Sequence, residues 1–346
     1  MHHFTRKKLL SSAERLKKEH DYYLKNGSAV LEELLSLCNG NCRTPIRYFS
    51  NIEIENATDH SAKKIELADA RASMVTGSLD NRLFLIRFSN HSYGVHRDIA
   101  VTAQMSHLKN VLRLVGCCLE FEKPVMVYEY VDAVTLDELL FNKARKSLLS
   151  WRNRLRIANE VASAIVFLHT EFTTPIINRC ICPSNVIIDQ TSSVAKLMDF
   201  SLSLSLPRGK CEIRDLPAGR IGYVDPEYFR TCKVTQKIDV FSFGVVLFQL
   251  LTRKKVSIVD GKMIRCGESP DYVDSYIGEC NVMDIVDSDI LEELGIEIQQ
   301  QLEDYLNLVK KCTTYKGENR PYMIHAAREL RRIEKCFRTL TLADEN

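Results

Sequence analysis

Apolar residues recur with two different periods along the chain, and the change of period divides it. Residues 5–25, TRKKLLSSAERLKKEHDYYLK, have helical spacing and read as a charged amphipathic helix. Asn26, Gly27 and Ser28 interrupt that pattern, and Ser28 is placed to N-cap a second helix through AVLEELLSLC. The stretch TPIRYFSNIEIENATDH then leads into the body of the chain. From about residue 62 to 130 the pattern is strand-rich. RLFLIRF and VMVYEY are short apolar runs with aromatic and β-branched content, and HRDIAVTAQMSHL between them has helical spacing. From about 134 onward helices dominate, in TLDELLFN, WRNRLRIANEVASAIVFLHT, DVFSFGVVLFQLLT, IQQQLEDYLNLVKKC and MIHAARELRRIEKC. The expected architecture is α+β: a small β-rich lobe and a large helical lobe behind an N-terminal helical extension.

Composition narrows the function classes. With 346 residues, 45% apolar and 27% charged, the chain is long enough and apolar enough to bury a proper core. The net charge of +2 gives no argument for nucleic acid or an acidic membrane as a partner. MHHFTRKKLLSS has no apolar core of a secretory signal, His2 excludes standard N-myristoylation, and no run of about 18 apolar residues predicts a membrane span. A reducing compartment is therefore expected, with the twelve cysteines as thiols. Cys38 and Cys42, Cys117 and Cys118, and Cys180 and Cys182 are close pairs without a second pair at zinc-site spacing, so no metal is expected.

IINRCICPSNVIIDQ, residues 176–190, reads as strand, turn, strand with two cysteines in the turn. In order, LVGCCLE, VMVYEY, GYVDPEYFRT, DVFSFGVVLFQLLT and GENRPYM resemble the landmarks of plant receptor-like protein kinases. NGSAVLEELLSLCNGNC and IRYFSNIEIENATDH resemble, more narrowly, the ZED/RKS-type receptor-like cytoplasmic kinases, which are plant immune pseudokinases. The resemblance implies a two-lobed protein-kinase-like fold over 50–337, an N-terminal extension over 1–49 and a tail over 338–346.

Phosphoryl transfer depends on positioning and charge stabilisation, so each part of the family's machinery can be sought by residue. Gly77 resembles the glycine that ends the second strand. Counted back from it without gaps, the three positions of the phosphate-cradling glycine loop hold Leu67, Asp69 and Ala72. No glycine stands between Gly40 and Gly77, and Asp69 would set a negative charge near a triphosphate. The third-strand lysine aligns with Arg87, and its helix glutamate with Asp98. The catalytic loop reads Asn178, Arg179, Cys180, Ile181, Cys182, Pro183, Ser184, Asn185, with Cys180 at the base aspartate and Cys182 at the phosphate-neutralising lysine. A thiol lacks the charge and geometry of an orienting carboxylate, and loss of a general base costs about 10²–10⁴ in rate. Asn185 and Asp199 stand at the magnesium positions, in a motif with Ser201 for glycine. Tyr128 sits at the gatekeeper position, with Glu129 to Val131 as the hinge. Asp239 resembles the aspartate that holds the catalytic-loop backbone, and Glu227 and Arg320 resemble the ion pair that anchors the activation segment. Arg220 replaces a phosphorylatable threonine, while Thr231, Thr235, Ser201, Ser203 and Ser205 remain as candidate modification sites or, more plainly, surface hydroxyls.

Framework groups thus remain while most catalytic ones are replaced, the pattern of a fold kept for its surface. The resemblance implies an adaptor or decoy that links an intracellular NLR immune receptor to related kinases modified by a bacterial effector, or is itself modified. It implies weak or absent Mg·ATP binding and a cytoplasmic location, peripheral to the inner plasma membrane through partners. The alternatives are an atypical weak Ser/Thr kinase using Arg87, Asn185 and Asp199, and a non-catalytic switch that binds ATP. A cysteine-based enzyme fits poorly, because Cys180 and Cys182 have no histidine near in sequence.

Overall fold

The computed structural model describes residues 11–38, 46–59, 64–65, 72–90, 93–142, 149–255, 281–294 and 298–343. The small lobe contains α1 (Ser12–Cys38), β1 (Arg47–Tyr48), α2 (Asn51–Thr58), β2 (Lys64–Ile65), β3 (Ala72–Leu79), β4 (Arg82–Ser89), α3 (Val95–Met105), β5 (Leu114–Cys118) and β6 (Val125–Glu129). Its six strands form one sheet in the order β1-β5-β6-β4-β3-β2, parallel only between β1 and β5.

Strand periodicity sorts this sheet into two faces. Arg87 pairs with Met74 on one side and Met126 on the other, and Leu85 pairs with Tyr128. These side chains share the inner face, with Met74, Leu85, Met126 and Tyr128 buried in the main core. The alternate residues Ile86, Val125 and Val127 face outward and are covered by Ile54 and Ala57 of α2. Gly77 permits that close approach, since a Cβ there would meet Ala57 O at 2.9 Å and Ile86 Cδ1 at 2.5 Å.

One element departs from the sequence reading. The expected break at Asn26–Ser28 does not occur, and α1 is a single helix of 27 residues. Asn26 is buried, donates from Nδ2 to Leu119 O and Phe121 O at 2.9 Å each, and bonds His96 through Oδ1. Its amide is satisfied by the small lobe, so it does not compete with the helix backbone. Val30, Leu34 and Leu37, one helical face, join the main core.

The large lobe follows as β7 (Ala133–Thr135), α4 (Leu136–Phe141), α5 (Trp151–Thr170), β8 (Ile176–Ile177), β9 (Val186–Asp189), β10 (Ala195–Leu197), β11 (Leu204–Ser205), β12 (Ile213–Arg214), α6 (Pro226–Thr231), β13 (Lys233–Val234), α7 (Lys237–Thr252), α8 (Val282–Ile285), α9 (Ser288–Leu294), α10 (Gln299–Thr313) and α11 (Met323–Ala343). Residues 238–252 of α7 are all buried, so this helix is the axis of the lobe. α5 starts on a Ser150 cap and carries Trp151, fully buried, whose indole N–H donates to Gln301 of α10 at 2.7 Å. α11 runs to Ala343, past the domain end expected at 337. Among the described residues no helix is long and apolar enough to cross a membrane.

Candidate functional site

The loop between β8 and β9 is fastened from below by α7. Asp239, fully buried, accepts from the backbone N–H groups of Asn178 and Arg179, each at 2.8 Å, and lies 2.9 Å from His169 Nε2. These bonds hold Arg179 in a left-handed conformation, φ +65°, which costs a non-glycine residue energy. The Arg179 side chain is buried and donates to Leu202 O at 2.6 Å, Asp215 at 2.5 Å and the Tyr228 hydroxyl at 3.0 Å.

Cys180 and Cys182 are buried in the turn so framed. Asn185 Nδ2 donates to Cys180 O at 3.0 Å and reaches Cys180 Sγ at 3.4 Å. Cys182 Sγ lies 3.2 Å from Ser184 Oγ. Contact with the Cys180 side chain favours the Cys182 thiolate, burial opposes it, and Ser184 and Arg220 add to the lowering of its pKa. The turn therefore presents a thiol pair and an amide at its centre.

Above it, β4, α3 and the segment after β10 converge on one guanidinium. Arg87, 4% exposed, donates through Nη1 to Asp98 and through Nη2 to Asp199 Oδ2 at 3.0 Å. Burial alone would weaken the guanidinium charge, but the Asp199 and Asp98 carboxylates outweigh it and hold the charge firmly. For Asp98, burial prevails over the attraction of Arg87 and raises its pKa, with repulsion from Asp199 adding to the rise. Asp98 also accepts from the Phe200 N–H at 2.9 Å and the Thr102 hydroxyl at 3.0 Å. Asp199, φ +66°, has its second oxygen engaged too: Oδ1 accepts from Ser201 Oγ at 2.6 Å and Ser201 N at 3.2 Å. Both oxygens of Asp199 are thus held by the chain's own donors.

The remaining expected residues are dispersed around this cluster. Tyr128 is fully buried, its hydroxyl 3.3 Å from Met126 Sδ, and burial raises the phenol's pKa. The Glu129 carboxylate turns to Lys196 at 2.9 Å and Arg113 at 3.1 Å, and Val131 packs into the core. Ala72 begins β3 opposite Ser89, while Leu67 and Asp69 lie outside the described residues.

The activation-segment anchor differs from the expected one. Arg320 meets Asp225, not Glu227, in a two-pronged pair at 2.5 and 2.8 Å. Its other hydrogens go to carbonyls of Thr314, Tyr315 and Lys237. Asp225 is favoured because it is the N-cap of α6, fixed by accepting from Glu227 N–H, whereas Glu227 reaches out to accept from Gly317 N–H at 2.5 Å. Burial raises the pKa of Asp225 despite Arg320. Of the candidate hydroxyls, Thr231 bonds Glu227 O, Thr235 accepts from Lys237 N–H, Ser201 binds Asp199, and Ser203 and Ser205 both meet Arg97. Asp215, Asp225 and Arg97 were not singled out in the sequence; Asp225 has a local signal, an acid immediately before Pro226 at a helix start.

A helix acid tied to a cation on β4, a loop held by a buried aspartate and an arginine-anchored segment are the frame on which phosphoryl transfer is built. The protein tyrosine and serine/threonine kinase family matches residues 88–330. The chain belongs to the protein kinase family. It is 36% identical over 331 residues to the non-functional pseudokinase ZED1 of Arabidopsis thaliana, covering 92% of this chain and 98% of that one. It is 34% identical to the serine/threonine-protein kinase ZRK1 of the same plant, covering 96% and 99%, and 34% identical to the non-functional pseudokinase ZRK2, covering 92% of each. The relatives it resembles thus carry both descriptions, pseudokinase and kinase. In this chain Asp199 is bonded to Arg87 and Ser201, and the Asn185 amide to the Cys180 carbonyl.

Proposed function

We propose that this chain is a pseudokinase that serves as an adaptor or decoy in plant innate immunity. It couples an intracellular NLR immune receptor to related receptor-like cytoplasmic kinases modified by a bacterial effector, or is itself the effector's target. The observation that carries the loss of catalysis is the Arg87 bridge between Asp98 and Asp199. A family member needs Asp199 open toward magnesium and a carboxylate where Cys180 stands. Here Asp199 is paired with Arg87 and Cys180 is a thiol, and we propose that nucleotide binds weakly or not at all. The names of ZED1 and ZRK2 support the same reading. The immune role and a cytoplasmic site of action, at the inner plasma membrane through partners, rest on the resemblance to ZED/RKS-type proteins.

The test is affinity purification from plant leaf tissue followed by mass spectrometry, with Asp199→Asn as a companion variant. The proposal expects an NLR receptor to co-purify with both forms, because the adaptor surface does not depend on phosphoryl transfer. Failure of any NLR to co-purify, with an active kinase signal lost in Asp199→Asn, overturns it. The second reading, a weak Ser/Thr kinase, draws on the name of ZRK1. Phosphotransfer from ATP that disappears in Asp199→Ala would establish that reading instead. A non-catalytic ATP switch would need different affinities for ATP in two conformations.

A further inference from the structure

The turn between β8 and β9 holds two free thiols two residues apart, Cys180 and Cys182, and the two are in hydrogen-bonding contact. Cys182 Sγ also lies 3.2 Å from Ser184 Oγ, and Asn185 Nδ2 reaches Cys180 Sγ at 3.4 Å. The positive charge of Arg220 acts on Cys182 from the activation segment. The cysteines are 2% and 1% exposed. The segment laid on the turn is itself only half-buried at 217–220, and it comes so close that a Cβ at Gly219 would meet Arg179 O at 2.6 Å. The other neighbouring pair has none of this. Cys117 and Cys118 are successive on β5 and take opposite faces, Cys117 in the main core and Cys118 in the cluster under α2. Burial pushes the pKa of each up to about 12, so they are inert packing groups.

We propose that Cys180 and Cys182 are a redox-active dithiol that hydrogen peroxide oxidises to a disulfide. Burial selects the class of oxidant, because a molecule of two oxygen atoms can pass where a bulky disulfide such as oxidised glutathione has no access to the sulfur. Cys182 reacts first, since Ser184 and Arg220 favour negative charge on its sulfur. That sulfur attacks one peroxide oxygen. The S–O bond forms, the O–O bond breaks, and the thiol proton leaves with the second oxygen as water. The Cys180 sulfur, already in contact, then attacks the Cys182 sulfenic acid. The S–S bond forms, the S–O bond breaks, and the hydroxyl leaves with the Cys180 proton as a second water. The two thiols give up two electrons and the peroxide becomes two waters. In a reducing compartment the disulfide is transient. Closing so short a loop constrains the turn and adds little to global stability. The inference stands apart from the adaptor reading, since it requires only the two thiols and peroxide.

The test is mass-spectrometric peptide mapping of the full-length reduced chain after exposure to hydrogen peroxide and then unfolding in an alkylating agent. The peptide spanning Cys180 and Cys182 should be two hydrogens lighter and carry no alkyl group, while Cys117, Cys118 and Cys312 are alkylated. Dithiothreitol added before alkylation should restore both alkyl groups. Oxidised glutathione in place of peroxide should leave both cysteines alkylated; a glutathione adduct on either contradicts the oxidant assigned. Cys180→Ser should stop at the sulfenic acid on Cys182, which dimedone captures, and Cys182→Ser should leave Cys180 uncaptured. Equal capture in the two variants contradicts the role given to Cys182. In the unsubstituted chain, where no variant has to fold, alkylation of Cys180 and Cys182 to the same extent as Cys117 and Cys118 after peroxide overturns the proposal.

Discussion

Arg87 and Asp199 are joined by a buried ion pair of 3.0 Å, so the carboxylate at the family's magnesium position faces a fixed cation of the chain itself. The same guanidinium binds Asp98, and the three side chains tie the sheet, α3 and the segment after β10 together. In an active kinase, charge at this point is supplied by lysine and by metal with its nucleotide. Here a single arginine, always charged and forked, spans both acids.

Removing that arginine should be costly. Arg87→Gln leaves two buried carboxylates without a cation, and loss of one partner of a buried ion pair costs about 3–5 kcal/mol. Asp199→Asn keeps the Arg87–Asp98 pair and should cost clearly less. Urea unfolding of the two variants checks the order; equal midpoints would show that Arg87 does not hold the cluster together.

Restoring the catalytic-loop chemistry alone should not restore catalysis. Cys180→Asp with Cys182→Lys returns a base and a phosphate-neutralising lysine, but Asp199 remains engaged by Arg87 and Ser201. Phosphoryl transfer from radiolabelled ATP to a generic protein substrate should stay at background. A gain of about 10²-fold or more, the typical worth of a general base, would mean that Asp199 is open after all.

The activation-segment anchor should depend on Asp225 more than on Glu227. Asp225→Ala strands the buried Arg320 guanidinium and should cost about 3–5 kcal/mol. Glu227→Gln keeps an oxygen that can accept from Gly317 N–H and should stay within about 1 kcal/mol. Thermal or urea melts of both variants give the ranking, and the reverse ranking would restore the pairing expected from the sequence.

Glu160 of α5 supplies a pH signature. It accepts from Ala195 N–H at 2.8 Å, yet burial prevails and raises its pKa. An acid whose folded pKa exceeds its unfolded one binds more protons folded than unfolded between the two values. Its contribution to stability therefore falls as pH rises through that window. Glu160→Gln removes the ionisation, so its stability relative to the unsubstituted chain should improve from pH 4 to pH 7. Urea midpoints at the two pH values check this, and a relative stability that worsens toward pH 7 would contradict it.

Much of the fold is legible in the sequence because period carries it. The runs at 82–88, 125–130, 151–170 and 239–252 match β4, β6, α5 and most of α7. The unbroken α1 is not legible, since Asn26 and Gly27 are weak helix formers and the bonds that absorb Asn26 come from residues 96, 119 and 121. α2 is likewise poorly announced by its short apolar pattern. It forms on a Ser50–Glu53 capping box and the sheet beneath it. In the site, the substitutions at 87, 180, 182 and 201 stand out because each changes chemistry inside a motif of known spacing. What those side chains touch does not follow from spacing. The Ser201 hydroxyl on Asp199, the second donor of Arg87 and the choice of Asp225 by Arg320 are set where distant elements meet.

The most direct test of the account is a calorimetric titration of the intact chain with Mg·ATP. With Asp199 held by Arg87 and Ser201, the account predicts no saturable binding below about 1 mM, or a binding free energy weaker than about 4 kcal/mol. Saturable micromolar binding that is lost in Asp199→Asn would contradict it, because the carboxylate would then be serving the nucleotide and not Arg87.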